Sequence, residues 1–295
     1  MGSSVLKQWF NQQRSQPSSD YEHLWLQQLR KGQWKPHLPI LKEYFEAAHL
    51  DARQYFHENA GISLHPLRNL SDESEIYCYP NDLDQVTKSG LFGEVLNGFL
   101  IEHAAIIGEG SWKVPVFLFR HHQDVENHIH ELNHGIRRRK RTVGRLGNDC
   151  LGITVDDTGK VTGIITGESK FRSYLPEKVG ATLNKKVHES FCNEADVPVN
   201  LMKLTRLLET KDPDRYQNTI ASLEALNKKQ QTNYTRQHIY SLIVCKTKKN
   251  YPPTYIDQTQ KHKSYTIKRP LQTVEVIISD GKDLLENLYD CLYVS

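Results

Sequence analysis

Apolar residues recur along this chain with two periods, one typical of helices and one typical of strands. The helical period predicts helices at Tyr21–His57 with breaks at Pro36 and Pro39, Ser89–Ile107, Asp124–Arg141, Pro176–Phe191, Val199–Thr210, Asp214–Gln231 and Gly281–Tyr293. Strands are predicted at Val114–Arg120, Asp149–Val155, Val161–Phe171, Ile239–Thr247 and Val274–Ser279. This order of elements favours an α/β fold, a mixed sheet flanked by helices.

Two regions differ in how clearly they show these patterns. Residues 1–85 are predicted to form a mainly helical N-terminal region with a possible role in docking a partner. Residues 86–295 carry the regular succession of helices and strands and are predicted to form the main domain. A chain of 295 residues is long enough for either one large domain or two modest ones.

The strand Val161–Phe171 carries two charged residues that can act together. Glu168 and Lys170 are two positions apart, so their side chains point to the same face. The preceding turn contains Asp156 and Asp157, which lie at the far end of the predicted hairpin, more than about 20 Å from Glu168 at ~3.3 Å per residue. The turn acids are therefore not expected to join Glu168 in one site.

A third charged residue comes from the first strand of this hairpin. If Val155 pairs with Lys160 across the turn, Asp149 lies opposite Thr166 and diagonally beside Glu168. A slip of one residue would move Asp149 to the other face. With this register, two carboxylates and one amine meet at the open end of the hairpin.

This combination of groups suits metal-dependent hydrolysis of phosphodiesters. Carboxylate oxygens bind Mg²⁺ or Mn²⁺, and the metal lowers the pKa of a bound water and stabilises charge on a phosphate. A nearby lysine can orient or deprotonate the attacking water, or stabilise the developing charge. We therefore predict Asp149, Glu168 and Lys170 as catalytic residues, with Asp149 and Glu168 holding the metal.

The same residues carry a resemblance to a known family. Asp149, eighteen intervening residues and then Glu168-Ser169-Lys170 resemble the motif of the PD-(D/E)XK nuclease superfamily. The segments GRLGNDCLGI, ITGESKF and, upstream, LFGEVLNGFL are similar to the DUF1837 group, which includes HamA, the nuclease subunit of the Hachiman anti-phage defence system. The likeness covers roughly residues 89–180, and the chain departs from the motif in having Asn148 where the superfamily name has proline.

The resemblance implies a restriction-endonuclease-like core that cleaves DNA with Mg²⁺ or Mn²⁺. It implies a metal contact from the Ser169 carbonyl and a further catalytic acid on the upstream helix, here Glu94. It also implies control by a protein partner, a superfamily-2 helicase/ATPase similar to HamB.

A basic run immediately precedes the predicted hairpin. The six residues with this charge are Arg137, Arg138, Arg139, Lys140, Arg141 and Arg145. Clustered Lys and Arg can neutralise DNA phosphates and give affinity that depends on salt but not on sequence. We predict DNA contacts here, while a solvated basic helix end remains the alternative.

Composition narrows the classes of protein but does not single out one. The net charge is only +3, so DNA binding has to rest on local clusters. The five cysteines are scattered and contain no C-x-x-C pair, which disfavours a disulfide framework and fits a reducing cytoplasm. No apolar run is long enough to span a bilayer, so a cytoplasmic protein without a membrane partner is expected.

The function predicted from the sequence is a metal-dependent DNA nuclease that serves as an effector of anti-phage defence. Two alternatives remain open. One is a non-catalytic DNA-binding or adaptor subunit that keeps a nuclease-like fold. The other is a restriction- or repair-type endonuclease of the same superfamily.

Overall fold

A computed structural model of the chain describes residues 2–16, 18, 20–59, 79–81, 83–104, 111–117, 149–192, 197–245 and 254–294. The helices are α1 (Gly2–Trp9), α2 (Leu38–Asn59), α3 (Gln85–His103), α4 (Glu177–Phe191), α5 (Val197–Lys211), α6 (Gln217–Asn227) and α7 (Gly281–Cys291), with a 3-10 turn at Lys35–His37 before α2. The strands are β1 (Asn11–Arg14), β2 (Tyr21–Gln27), β3 (Lys113–Phe117), β4 (Cys150–Val155), β5 (Val161–Arg172), β6 (Thr235–Val244) and β7 (Leu271–Ile277).

All seven of these strands belong to one mixed sheet, in the order β1-β2-β7-β6-β5-β4-β3. The central strands β2, β7, β6 and β5 run parallel to one another. Antiparallel pairs close both sides of this block, β1 on β2 at one edge and β3-β4-β5 at the other. Parallel strands need both faces covered because their connections place helices on the sheet.

Helices cover both faces of the sheet. On one face, α1, α2, α3 and α7 form the largest core together with alternate residues of β6 such as Ile239 and Ile243. On the other face, α4 packs over Tyr240 and Leu242 of β6, while α5 and α6 pack over β4 and the first half of β5. Within the described ranges, no helix combines the length and apolarity required to cross a membrane.

Most elements predicted after residue 85 are confirmed, with shifted ends. The predicted helix Ser89–Ile107 is α3, and all of its residues from Leu91 to Ile101 are buried. The hairpin, the helices α4 to α7 and the strands β6 and β7 are also present where the periodicity placed them. The predicted helix Asp124–Arg141 lies outside the described residues, as does the end of the strand predicted at Val114–Arg120.

The prediction of a helix from Tyr21 onward is wrong. Tyr21–Gln27 is strand β2, α-helix begins only at Leu38, and Leu29, within the predicted helix, is 64% exposed. β2 lies between β1 and β7 and has four consecutive buried residues at its start, so it lacks the alternation that identifies a half-buried strand. The N-terminal region therefore contains two strands of the common sheet as well as α1 and α2, and the boundary at residue 85 stays a prediction.

Candidate active site

The hairpin β4–β5 brings Asp149 to Glu168, although by a register other than the predicted one. Leu151, and not Asp149, pairs with Thr166, because Val155 pairs with Val161 and a bulge follows between Thr154 and Val155. The pairing is thus shifted by two positions. Since side chains alternate with a period of two, Asp149 keeps the face that was predicted for it.

Hydrogen bonds fix Asp149 against β5. Its backbone N–H donates to the Gly167 carbonyl at 2.8 Å. Its carboxylate Oδ2 accepts the backbone N–H of Ser169 at 2.7 Å. Asp149 is only 7% exposed. Both bonds come from the backbone of the strand that carries Glu168, so the position of the Asp149 carboxylate is set by the sheet itself.

Lys170 lies against the neighbouring carboxylate. Its Nζ is 2.5 Å from Glu168 Oε1 and donates to the Ser169 carbonyl at 2.9 Å. The Glu168 side chain is 9% exposed and the Lys170 side chain 26% exposed. An ammonium group therefore contacts two of the three groups that were predicted to hold a metal.

Helix α3 packs against the opposite face of this part of β5. Ser169 Oγ donates to the Gly93 carbonyl at 2.8 Å, and Phe171 packs edge-on against Phe92 with ring centroids 5.0 Å apart. A Cβ at Gly93 would lie 3.1 Å from both Ser169 Oγ and Phe171 Cβ. Because residue 93 is a glycine, α3 can pack this closely against β5. The close packing brings the adjacent Glu94 near the end of the hairpin that carries Asp149 and Lys170.

Gly98 lies one turn of α3 after Glu94 and faces the core. A Cβ at Gly98 would meet the ring of Phe117 on β3 at 2.4 Å. Gly98 therefore makes room for the Phe117 ring in the core, whereas Gly93 allows α3 to pack closely against β5 at the site.

Electrostatic coupling joins the four predicted residues. Burial lowers the pKa of Lys170, but the charges of Asp149, Glu168 and Glu94 and the hydrogen bond to Glu168 outweigh it and raise that pKa above its ordinary value of 10.5. Lys170 is therefore an ammonium at neutral pH in this arrangement. A charged lysine can orient a water or stabilise an anion, but it cannot take a proton from the water.

Sequence reasoning missed a polar contact beneath the site. Asn97 is fully buried in α3, accepts a 2.6 Å hydrogen bond from Ser241 Oγ of β6, and donates to Cys150 Sγ of β4 at 3.5 Å. Burial raises the pKa of the Cys150 thiol well above its ordinary value, and the charges of Asp149, Glu94 and Glu168 raise it further. Cys150 is thus a neutral packing residue. The available signal was an asparagine inside the apolar helix segment LFGEVLNGFL.

The donor set of the site suits a hard divalent cation. Asp149 and Glu168 supply carboxylate oxygens. The Ser169 carbonyl oxygen already accepts a hydrogen bond from the Lys170 ammonium group. Among the described residues, no group of three or more His, Cys, Asp or Glu side chains could hold a metal ion. Glu94 therefore does not complete a three-carboxylate set with Asp149 and Glu168.

The basic run of six residues from Arg137 to Arg145 lies outside the described residues, so its relation to the hairpin stays a prediction. In comparisons with known proteins, no protein-family model matches the chain, and a search of curated proteins finds no match. The nature of this site is therefore inferred from the side chains and contacts described above.

Proposed function

We propose that this chain is a metal-dependent deoxyribonuclease with a PD-(D/E)XK-like core. The observation that supports it is the meeting of Asp149, Glu168 and Lys170, coupled to Glu94, at one buried end of the β4–β5 hairpin. Buried acids and a lysine gathered at one place are a common arrangement for catalysis, because charges placed there interact strongly.

Asp149, Glu168 and the Ser169 carbonyl would hold Mg²⁺ or Mn²⁺. The metal would activate a water and stabilise charge on the scissile phosphate. Lys170, as an ammonium, would turn from its contact with Glu168 to stabilise the attacked phosphate or orient the water. Glu94 would bind a water or a second metal, and the backbone bonds to Asp149 would hold its carboxylate in place.

Several finer features of the proposal come from the sequence alone, and the helicase partner and the defence role among them from the family resemblance. The basic residues between Arg137 and Arg145 would contact DNA phosphates. A superfamily-2 helicase/ATPase would restrain or load the nuclease, and the pair would act in the cytoplasm in defence against phage. Residues 1–85 would offer a docking surface for that partner.

The test is cleavage of supercoiled and linear plasmid with Mg²⁺, with Mn²⁺ and with EDTA. The decisive variant is Glu168→Gln/Lys170→Ala. Its matched control is Glu224→Gln/Lys228→Ala, which removes a solvent-exposed Glu–Lys pair with a 3.1 Å contact at the C-terminal end of α6. We expect cutting that requires the metal, is lost in the first variant and is retained in the control.

Full cleavage by a well-folded Glu168→Gln/Lys170→Ala protein would remove the proposal. So would the lack of metal-dependent cutting both by the chain alone and by the chain purified together with its bound proteins. Melting curves of all variants would separate loss of function from loss of fold.

One observation favours a second function, a non-catalytic DNA-binding adaptor. Lys170 already neutralises Glu168, and the described residues contain no group of three metal-binding side chains. An adaptor would bind DNA equally well with Mg²⁺ and with EDTA and would never cut it, even after removal of its partner. DNA binding that strengthens with the metal, together with cleavage, would reject this function.

A further inference from the structure

Arg172 is the last residue of β5 and lies on the same face of the sheet as Glu168 and Lys170, because the three are successively two positions apart. The pairing of β4 with β5 runs as far as Gly167, whereas β6 pairs with β5 up to Arg172 itself. At ~3.3 Å per residue, Arg172 lies about 7 Å beyond Lys170 along the strand. It is thus the next charged residue after Lys170 on the site face of β5.

The charge of Arg172 acts on the same buried group as the charge of Glu168. Tyr240 of β6 pairs with Glu168 and is fully buried. Burial raises the pKa of the Tyr240 hydroxyl well above its ordinary value, and the charges of Glu275 and Glu168 raise it further, whereas the charge of Arg172 lowers it. Glu168 and Arg172 therefore both act on one point of this face, as the alternation along β5 requires.

The guanidinium of Arg172 is available for a ligand. Arg172 is an exposed residue, and its side chain carries five N–H donors. Its Nη1 donates to the Phe171 carbonyl oxygen at 2.8 Å. Among the residues that the structure describes, this is the only hydrogen bond of the guanidinium, and none of their carboxylates forms an ion pair with it. Lys170 differs, since it already contacts Glu168.

A phosphate group suits this arginine. The planar guanidinium matches two oxygens of a phosphate with two parallel N–H···O bonds. The acids Asp149, Glu168 and Glu94 outnumber Lys170 at the site, so their charge opposes the approach of a nucleic acid. A positive group at the margin of the site offsets this repulsion, and contacts with phosphates fix the register of a nucleic acid on a protein.

We propose that Arg172 binds a backbone phosphate next to the scissile one and so places the cleaved strand over Asp149 and Glu168. Lys170 then serves the scissile phosphate, and Arg172 serves its neighbour on the same strand. The spacing of the two residues along β5 allows their long side chains to reach successive phosphates. This role rests on the proposed nuclease function, because it assigns a substrate contact at the same site.

The experiment measures how cleavage responds to the loss of one phosphate charge. The substrate is a short end-labelled oligonucleotide, single-stranded and as a duplex, in which a methylphosphonate replaces one phosphate and removes its charge. The protein is used with Mg²⁺ in the form that cleaves, either alone or with its co-purified proteins. We expect the wild type to cut one linkage beside the neutral position about tenfold more slowly, the equivalent of ~1.4 kcal/mol, because Arg172 loses its phosphate.

Three variants test the assignment. Arg172→Gln should cut the unmodified substrate about tenfold more slowly and should show no further loss with the methylphosphonate. Arg172→Lys keeps the charge and should retain part of both effects. The control Arg215→Gln replaces an exposed arginine near the turn of the hairpin, where Asn218 Nδ2 donates to the Thr158 carbonyl at 2.7 Å, and it should behave as the wild type does.

The outcomes separate the two proposals. If the wild type does not cut the unmodified substrate in either form, the nuclease function is removed and the role of Arg172 with it. If the wild type cuts, an unchanged rate at both linkages beside the methylphosphonate would overturn the role of Arg172 alone. An equal response of the wild type and Arg172→Gln would do the same and would leave Arg172 as a solvated surface charge. Melting curves would confirm that the variants are folded, as expected for substitutions of exposed residues.

Discussion

The two ends of the β4–β5 hairpin carry the same kinds of residue in opposite surroundings. At the turn, Asp156, Asp157 and Lys160 are all exposed. At the other end, Asp149 and Glu168 are each 7% exposed and Lys170 contacts Glu168. A count of acids and lysines in the sequence does not distinguish these two groups.

The difference lies in what the carboxylates bind. Asp156 Oδ1 accepts the backbone N–H groups of Thr158 and Lys160, so it serves to close the turn. Asp149 also accepts a backbone N–H, but it shares its buried environment with a second carboxylate and an ammonium. Interactions between charges strengthen as water is excluded. We therefore expect the large pKa shifts that are typical of catalytic groups at the buried end of the hairpin and not at the turn.

The largest contrast is expected in cleavage. Asp149→Asn should lower the rate of plasmid cleavage with Mg²⁺ by about a hundredfold or more, because it removes charge where the metal and phosphate would bind. Asp156→Asn should cleave at the wild-type rate and show only a lower melting temperature. Similar rates for the two variants would remove the distinction between the ends of the hairpin.

The next contrast is in stability. Lys170→Met should lower the free energy of unfolding by roughly 3 kcal/mol, since it leaves buried carboxylates without their cation. Lys160→Met, at the exposed end, should change it little. Chemical denaturation measures both, and Glu168→Gln/Lys170→Met should recover part of the loss. Equal losses in the two single variants would show that burial does not strengthen the Lys170 contacts.

Glu275 is a buried acid that, among the described residues, has no lysine contact like that of Glu168, and it therefore sharpens the comparison. Burial raises its pKa from 4.5 to about 8, although the backbone N–H groups of Tyr255 and Ile256 hydrogen-bond to it. The folded state thus binds this proton more tightly than the unfolded state. Its contribution to stability is complete below pH 4.5 and decreases as the pH rises through 8.

We therefore expect stability to fall by up to about 1.4 kcal/mol per pH unit between these values on account of Glu275. Glu275→Gln should lack this component. The difference between wild type and variant in urea denaturation at pH values across this window isolates Glu275 from other titrating groups. A constant difference across the window would contradict the raised pKa.

The smallest contrast concerns two glycines of β5. A Cβ at Gly167 would meet Asn97 Nδ2 and Cys150 Sγ at 2.5 and 2.6 Å, and one at Gly163 would meet Thr154 Oγ1 at 2.6 Å. Either alanine should destabilise the fold by about 1–3 kcal/mol. Only Gly167→Ala should also slow cleavage, by a few fold, because it displaces the contact between α3 and the hairpin that positions Glu94. Equal cleavage rates would mean that this contact serves packing alone.

Local periodicity was enough to predict the elements whose neighbours are close in the chain. Helix α3 and the hairpin were found because their patterns repeat within a few residues. Strand β2 was missed because its neighbour β7 lies 250 residues further on, with Tyr21 paired to Leu271, and because its first four residues are all buried and so show no alternation. Nothing within Tyr21–Gln27 itself reveals that partner.

The candidate site could be predicted from alternation along β5 and from a register with the correct parity. The bulge beside Thr154 and the pairing of Val155 with Val161 each shifted the register by one, and the two shifts together preserved the face of Asp149. The role of Asn97 could not be predicted, because it depends on Ser241 in a strand that follows 144 residues later. Glu94 was predicted from the family resemblance alone. Its position near the site depends on the close approach of Gly93 to β5, which the sequence does not show.

The pairing of β2 with β7 also has a consequence for synthesis of the protein. At about 5–20 residues per second, the 250 residues between Tyr21 and Leu271 take a ribosome at least ~12 s to add. During that time β2 has no parallel neighbour, while the hairpin and α3 have already been made. The nascent chain therefore holds the proposed active-site residues for several seconds before its sheet can close.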